Sequence, residues 1–93
     1  MEYRPFYHHD IPDDLADIPA NIKDRIRKAI ETRLLIDPVS YSLPLRKSLQ
    51  SYRKLRVGDF RIIYRIEGKE IVIFKICHRK VIYPKVLVRL GKR

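Results

Sequence analysis

The sequence predicts one small domain of the α+β class, with helices in its first part and a β-sheet in its second. The 93 residues are enough for a single domain, spanning residues 1–93, and leave no room for another. Hydrophobic residues make up 45% of the chain, a fraction typical of a folded protein with one core. Apolar residues recur at helical spacing before residue 37 and alternate with polar ones after residue 52.

The first part of the chain predicts a short edge strand followed by two helices. The strand, Tyr3–His8, is rich in aromatic residues and contains a proline. Asp10 is expected to cap the first helix and Pro19 to end it, while Asn21 is expected to cap a longer helix that stops before Pro38. Apolar side chains repeat every three or four residues along both helices, at Ile11, Leu15, Ile18, Ile22, Ile26, Ala29, Ile30 and Leu34. We interpret this helical pair as a packing layer.

Three strands rich in β-branched and aromatic residues are predicted in the second part, after a loop at residues 38–51. They are Arg53–Val57, Phe60–Ile66 and Glu70–His78. Gly58 and Asp59 form a two-residue turn with glycine first, which favours a type II′ hairpin. The tail from Tyr83 to Leu90 fits either a short helix or a further strand.

The first hairpin gives the sheet an apolar face and a basic face. With a two-residue loop, Val57 pairs with Phe60, and Arg56 lies opposite Arg61. Like charges opposed across two strands are destabilising, so an anionic ligand is a sensible reason for this pairing. The apolar face carries Leu55, Val57, Phe60, Ile62, Tyr64 and Ile66. The basic face carries Lys54, Arg56, Arg61 and Arg65.

The third strand is placed by the same alternation. Its core side is predicted to carry Val72, Phe74 and Ile76. The basic face then gains Lys75, Cys77 and Arg79, and with them Ile71 and Ile73, which need a cover. This register requires a connection of odd length at Gly68, such as three residues, because a two-residue loop would turn Lys75 into the core.

Positive charge is concentrated in the second half of the chain. Residues 1–45 contain six Lys and Arg against eight Asp and Glu, a net of −2, whereas residues 46–93 contain fifteen against three, a net of +12. The two halves sum to the net charge of +10. Such an excess favours a polyanionic partner, most often a nucleic acid, over an acidic protein. A membrane surface is disfavoured because the basic residues lie on predicted strands rather than on an amphipathic helix.

Composition and motifs exclude several classes of function. A single cysteine cannot form an internal disulfide or a cysteine-based zinc site. The adjacent histidines of His8-His9-Asp10 would point to opposite faces of a strand, so no metal role is expected. The longest apolar run, Ile71–Phe74, is far too short to span a bilayer, and the N-terminus lacks the form of a signal peptide. A reduced, cytoplasmic protein is therefore expected.

Two segments resemble the RelE/ParE superfamily of toxins from type II toxin–antitoxin systems. One is Tyr52–Arg65, with the sequence YRKLRVGDFRIIYR, and the other is His78–Tyr83, HRKVIY, which is similar to the ending of RelE-type members. The resemblance covers nearly the whole chain. It implies two N-terminal helices packed on one face of a small, mostly antiparallel twisted sheet. RelE-type members cut messenger RNA in the ribosomal A site, so the implied partners are the 70S ribosome, mRNA and a RelB-like antitoxin, with no cofactor or metal.

The resemblance also implies roles for individual residues. Arg61 matches the arginine that holds the scissile phosphate, and Lys54 is the candidate base for the 2′-hydroxyl of the substrate. Arg53 is unsuited to that role because an arginine does not lose its proton. Arg79 would stabilise charge at the leaving oxygen, and Tyr83 would stack on or orient a base, with a core aromatic as the equal alternative. Further RNA contacts are expected from Arg46, Arg53, Arg56, Arg65, Lys75, His78 and Lys80.

Alternatives remain open for one residue and for the function. Strand alternation turns His78 toward the core side, which favours a packed or rim histidine over a proton donor. ParE-type members share the fold but inhibit DNA gyrase and lack the nuclease residues, and a non-catalytic nucleic-acid-binding module would draw on the same charge. The joint presence of Lys54, Arg61, Arg79 and Tyr83 favours the RelE-type nuclease.

Overall fold

The computed structural model describes residues 3–91, which form a five-stranded sheet with helices on both faces. The strands are β1 Arg4–Tyr7, β2 Ser42–Pro44, β3 Arg53–Val57, β4 Phe60–Glu67 and β5 Glu70–His78. The helices are α1 Ile11–Leu15, α2 Ala20–Ala29 with a π-helical extension Ile30–Leu34, and α3 Ile82–Arg89, with 3-10 turns at Lys47–Leu49 and Arg79–Val81. The strand order is β1-β5-β4-β3-β2, and only the β1–β5 pair among these neighbours is parallel. The α+β class and the mostly antiparallel sheet are thereby confirmed.

Helices α1 and α2 pack on one face of the sheet and form the larger core. Buried apolar side chains from the helices and the strands meet there, namely Ile11, Ile18, Ile26, Ala29, Ile30, Leu34, Leu55, Ile62, Tyr64 and Ile76. The predicted N-cap of α1 is correct in position, whereas that of α2 is wrong. Asp10 precedes α1 but makes no side-chain capping hydrogen bond, and α2 begins at Ala20 directly after Pro19, which leaves Asn21 inside the helix.

Strand β2 lies in the segment predicted to be a loop. Its three residues pair antiparallel with β3, with Ser42 opposite Leu55 and Pro44 opposite Arg53. A strand this short, ending in a proline, carries no alternating pattern that could reveal it. It forms one edge of the sheet and places the following segment, which carries Arg46, beside β3.

The β3–β4 hairpin has the predicted register, with Val57 opposite Phe60 and Arg56 opposite Arg61. Gly58 has φ of +59°, a conformation that glycine adopts without strain and that a two-residue turn of this kind needs. The charge opposition that the sequence implied is therefore real, since both arginines sit directly across from one another.

The connection at Gly68 differs from the prediction. Glu67 pairs with Glu70, so the loop has two residues rather than three. A β-bulge then shifts the register, because Ile63 pairs with Lys75 while Tyr64 pairs with Ile73. The extra residue of the bulge keeps Lys75 out of the larger core, which removes the objection to a two-residue loop.

The bulge also reverses the predicted faces in the first part of β5. Ile71 and Ile73, predicted for the basic face, lie in the core beneath α1 and α2. Phe74, predicted for that core, lies on the opposite face, and Val72 follows it by alternation. After the bulge the prediction holds again, with Ile76 in the larger core.

Helix α3 resolves the ambiguous tail and covers the other face of the sheet with a second, smaller core. The buried members of this core are Leu45, Leu49, Ile63, Phe74, Cys77, Ile82 and Val86. Within residues 3–91, no helix has the length and apolar character needed to cross a membrane.

A buried carboxylate fastens α3 to the rest of the molecule. The Asp14 side chain on α1 is 1% exposed and accepts hydrogen bonds from Lys75 Nζ at 2.6 Å and from the Ile76 amide at 3.0 Å. Both terminal nitrogens of Arg89 on α3 also donate to it, each at 2.9 Å. One carboxylate thereby joins α1, β5 and α3.

Candidate active site

Three arginines gather around the β3–β4 turn. Arg56 and Arg61 lie opposite one another, with Cα atoms about 5 Å apart, as in any such pair. Arg79 follows β5, and its backbone N–H donates to the Asp59 carbonyl at 2.9 Å, which fixes it beside the turn. The Arg79 Nε lies 3.6 Å from the Asp59 carboxylate. The three guanidinium groups outnumber this one carboxylate, so the local charge stays positive.

Arg61 is the most constrained of the three arginines. Its Nη1 donates to the carbonyl of Gly58 at 3.0 Å and to that of Phe60 at 2.8 Å. Burial lowers the pKa of Arg61, and the charges of Arg56 and Arg79 lower it further. An arginine stays protonated at neutral pH, so its positive charge is unfavourable in this position. A bound anion would stabilise it.

Tyr83 and Arg46 form the second part of the site. The Tyr83 hydroxyl accepts hydrogen bonds from the Arg46 backbone N–H and from Arg46 Nε, both at 3.2 Å. The guanidinium carbon of Arg46 also lies 4.6 Å from the centre of the Tyr83 ring. Burial alone would raise the pKa of Tyr83, but the hydrogen bonds from Arg46 and the charges of Arg46 and Lys54 bring it below its ordinary value. Lys54 therefore lies near enough for its charge to act on this hydroxyl.

A groove runs along the Tyr83 side of the site. It measures about 330 Å³ and is lined by Arg46, Lys47, Leu49, Tyr83 and Leu87 among others. Lys47 has φ of +57° and is the one non-glycine residue with positive φ in the described part of the chain. Such backbone outliers concentrate at functional sites. The tyrosine ring with an arginine over it is a surface on which a base can stack.

Arg53 and Arg65 lie away from this cluster and are engaged within the chain. Arg53 Nε donates to Ser42 Oγ at 2.8 Å, and its Nη2 donates to the Ser42 carbonyl at 3.1 Å. Arg65 donates to the Tyr52 hydroxyl at 3.2 Å and to a carboxylate two residues along β4. It is four residues from Arg61, or roughly 13 Å along the strand. Neither arginine is brought to the hairpin end.

Lys75, His78 and Lys80 are likewise separated from the arginine cluster. Lys75 is bound to the Asp14 carboxylate at 2.6 Å. His78 meets Phe60 edge-on, with ring centres 5.8 Å apart, and its Nδ1 accepts from the Lys80 backbone N–H at 3.2 Å. His78 is therefore a rim histidine on the larger-core side, in the direction that strand alternation indicates, and Lys80 is exposed beside it.

Three cations near the site are not predicted by the sequence, because α2 reads as a packing layer. Arg25, Lys28 and Arg33 join Arg56 in lining a cleft of about 460 Å³ beside Gly58. All four charged side chains of this cleft are positive. Arg25 and Lys28 are three residues apart and project from one helix face, and this spacing is the signal that would have found them.

Potential metal ligands lie at the other edge of the sheet. Among residues 3–91, His, Cys, Asp and Glu side chains come together in a group of three at His8, His9 and Asp10, after β1. The hairpin end instead offers fixed guanidinium groups, a lysine and a tyrosine hydroxyl. Such a set can bind a phosphate, balance the charge that develops on it and exchange protons with its neighbours.

Comparison with known proteins assigns the chain to the toxins of the RelE/ParE type. The family of the ParE toxin of type II toxin–antitoxin systems matches residues 6–83. Toxin RelE3 of Methanocaldococcus jannaschii is 30% identical over 73 residues, which are 75% of this chain and 83% of that protein. The chain therefore belongs to the ParE toxin family, within the RelE/ParE superfamily.

Solved structures of similar proteins share the fold. In the RelBE2 toxin–antitoxin complex of Mycobacterium tuberculosis, a chain with a TM-score of 0.77 and 26% identity matches 85% of this chain over 100% of its own length. In the RelB–RelE complex of Methanococcus jannaschii, the similar chain has a TM-score of 0.67 and 26% identity, and the match covers 86% of this chain and 96% of that one. In the RelE–RelB complex of Pyrococcus horikoshii, the similar chain has a TM-score of 0.67 and 26% identity, and the match covers 85% of this chain and 97% of that one.

Proposed function

We propose that the protein is a ribosome-dependent messenger RNA endonuclease that cuts in the A site without a metal ion. The observation that carries this proposal is the position of Arg61. Its guanidinium is held by two backbone carbonyls, opposite Arg56 and beside Arg79. Burial lowers the pKa of Arg61 most, and the charges of Arg56 and Arg79 lower it further. The position therefore favours a bound phosphate. Lys54 projects from the same face of β3 as Arg56, two residues away.

The chemistry follows from the groups at this end of the sheet. The 2′-hydroxyl of the RNA attacks the adjacent phosphorus, a 2′-O–P bond forms, and the bond to the 5′ oxygen breaks. Lys54 is the candidate general base that takes the proton of the 2′-hydroxyl. Arg61 holds the phosphate oxygens, and Arg79 balances the charge that develops on the leaving 5′ oxygen. Tyr83, positioned by Arg46, provides the surface on which a base stacks.

The openness of the surface supports a role for the ribosome. The candidate residues lie on the hairpin and on α3, beside two open clefts, and such a surface does little to orient a flexible RNA. Placement of the substrate by a larger assembly would supply that orientation. The cleft lined by Arg25, Lys28 and Arg33 offers further phosphate contacts to that assembly. This activity would place the protein in the cytoplasm.

An antitoxin is the proposed partner that holds the protein inactive. The similar toxins of M. tuberculosis, M. jannaschii and P. horikoshii are each described in complex with an antitoxin. The net charge of +10 favours an antitoxin with an acidic segment. A RelB-like chain that covers the arginine cluster would block access of RNA.

The proposal is tested by primer extension on mRNA bound to programmed ribosomes. The purified protein is expected to cut within the A-site codon, and Arg61→Ala is expected to abolish the cut. Arg4→Ala is the matched control, because Arg4 is exposed on β1 at the opposite edge of the sheet. Full cleavage by folded Arg61→Ala would contradict the assignment of the phosphate site.

Inhibition of DNA gyrase is the second candidate, because the matched family is that of the ParE toxin. In that case no A-site cut would be seen, and the purified protein would inhibit gyrase in a supercoiling assay. A protein that cuts mRNA and leaves supercoiling unaffected would exclude this alternative.

A further inference from the structure

The segment between β1 and α1 brings two imidazoles and a carboxylate together. Strand alternation predicts that His8 and His9 point apart, but β1 ends at Tyr7, so alternation does not apply to them. Their rings stack, with centres 4.3 Å apart and planes inclined by 24°. One donor atom each from His8, His9 and Asp10 lies within 4.8 Å of the other two.

His8 is the fixed member of this group. Its backbone N–H donates to the Ile73 carbonyl at 2.9 Å, and its ring meets Phe74 edge-on at 5.3 Å. Its Nδ1 accepts from the Asp10 amide at 3.1 Å. An imidazole binds a metal ion in its neutral form. Binding through Nδ1 would replace the hydrogen bond from the Asp10 amide.

His9 and Asp10 are free to adjust around this fixed ring. Their side chains are 84% and 43% exposed, and His9 Nε2 lies 3.6 Å from Asp10 Oδ1. The nearest cation is Arg89, 4.0 Å from the other oxygen of Asp10, but Arg89 is paired more closely with Asp14, at 2.9 Å. Arg89 is therefore engaged more closely by the Asp14 carboxylate than by Asp10.

We propose that His8, His9 and Asp10 form a binding site for a divalent transition-metal ion. Two imidazoles and one carboxylate from consecutive residues make a tridentate set, and water would occupy the remaining position of a tetrahedral ion such as Zn²⁺. The site follows β1, which β5 separates from β4 in the sheet, so it lies apart from Arg61 and takes no part in the proposed cleavage. A bound ion would stabilise the junction between β1 and α1.

The test is a titration of the chelator-treated protein with Zn²⁺ by isothermal calorimetry. One ion per chain is expected, and His9→Gln and Asp10→Asn are each expected to weaken binding at least about tenfold. His78→Gln is the matched control, because His78 is the one other histidine of the chain and is expected to leave Zn²⁺ affinity unchanged. Mg²⁺, which prefers oxygen ligands alone, is expected to give no heat of binding.

A thermal melt provides a second measurement. Saturating Zn²⁺ is expected to raise the melting temperature of the wild-type protein and of His78→Gln, but not that of His9→Gln. His9 is exposed, so this variant is expected to fold normally in the absence of metal, and its metal-free melt checks this directly. Binding that is equally strong in His9→Gln, one ion per two chains, or no binding at all would each overturn the proposal.

Discussion

At the scale of single residues, the contact between Tyr83 and Arg46 can be separated into its parts. Tyr83→Phe removes the hydroxyl that accepts two hydrogen bonds from Arg46 but keeps the ring beneath the guanidinium. We expect the cleavage rate to fall about tenfold, which corresponds to about 1.4 kcal/mol for the two lost hydrogen bonds together. Single-turnover cleavage on programmed ribosomes measures this rate.

The matched control for this change is Tyr41→Phe. Tyr41 is 56% exposed and lies outside the site, so its hydroxyl is not expected to affect the rate. If Tyr83→Phe cut as fast as the wild type, the hydroxyl would have no part in positioning Arg46, and stacking by the ring alone would account for the role of Tyr83.

Cys77 offers a test of burial through its pH dependence. Burial raises the pKa of its thiol from 9.0 to about 11. At pH 8 the thiolate fraction in the folded protein is therefore roughly 100-fold lower than in the unfolded chain, and alkylation by iodoacetamide should slow by at least that factor. The native rate should keep rising up to pH 11, whereas the rate in urea should level off near pH 9.

The same pKa has a consequence for stability. A thiol whose folded pKa exceeds its unfolded value contributes stability that is complete below pH 9 and is lost as the pH rises toward 11. Mass spectrometry measures the rate at which iodoacetamide labels Cys77, with urea-unfolded protein as the reference. A native labelling rate that levels off near pH 9 would mean that the thiol is exposed.

Residues of the first hairpin could be placed from the sequence, and others could not, for a physical reason. The pairing of Arg56 with Arg61 follows from one tight turn, since a short loop fixes register over a few residues. Their charge alone predicts Lys75 and Arg53 as RNA contacts. In the structure each of them binds a residue of the same chain that is not its neighbour in sequence. Asp14 lies 61 positions before Lys75 along the chain, and local patterns contain no information on such pairs.

At the scale of elements, the same limit explains which strands and helices were predicted. β3 and β5 have the predicted bounds because both are rich in β-branched and aromatic residues, and side-chain alternation along each strand predicts its two faces. The bulge opposite Ile63 and Tyr64 breaks that alternation at one position, so the faces of Ile71 and Ile73 were wrong. The α3 segment contains a proline, which suits the first turn of a helix, and two valines, which favour a strand. It forms a helix, and Ile82 and Val86 of this helix are buried in the smaller core.

The attachment of α3 depends on the Asp14 carboxylate. Asp14→Asn keeps the shape of the side chain but removes the ion-pair partner of Lys75 and the closer of the two partners of Arg89, whose side chains are 14% and 10% exposed. Breaking a buried ion pair on one side costs about 3–5 kcal/mol. In a domain of this size such a loss should lower the melting temperature by more than about 10 °C. Circular dichroism or calorimetry measures the shift.

The control for this element is Asp13→Asn on the same helix. Asp13 is exposed, so its loss is expected to change the melting temperature by no more than about 3 °C, within ±0.5 kcal/mol. Equal shifts for the two variants would mean that the negative charge of α1 as a whole, rather than the buried carboxylate, stabilises the fold.

At the scale of the whole molecule, two cores and an uneven charge determine which surface is left for a ligand. The larger core lies beneath α1 and α2, and the smaller one lies beneath α3. The hairpin end is the part of the second face that α3 leaves open, and α2 adds Arg25 and Lys28 beside it. The charge excess of residues 46–93 was evident from composition, whereas its extension onto α2 requires the fold.

This distribution predicts how salt affects RNA binding. For single-stranded RNA, the logarithm of the affinity falls with the logarithm of the salt concentration by about 0.7 for each phosphate neutralised. Replacing Arg56 and Arg61 together by glutamine should therefore reduce the slope by about 1.4 as two phosphate contacts are lost. Fluorescence anisotropy of a labelled RNA oligonucleotide, titrated at several KCl concentrations, measures the slope.

The control variant carries the same change in net charge at other positions. Arg4 and Arg27 are exposed on β1 and α2, and Arg27 is already paired with Asp24 at 3.1 Å. Their replacement by glutamine should leave the slope within experimental error of the wild-type value. If both double variants lost the same amount, binding would respond to total charge alone. A loss confined to Arg56 and Arg61 would place two phosphates at the hairpin end, because counterion release reports local contacts.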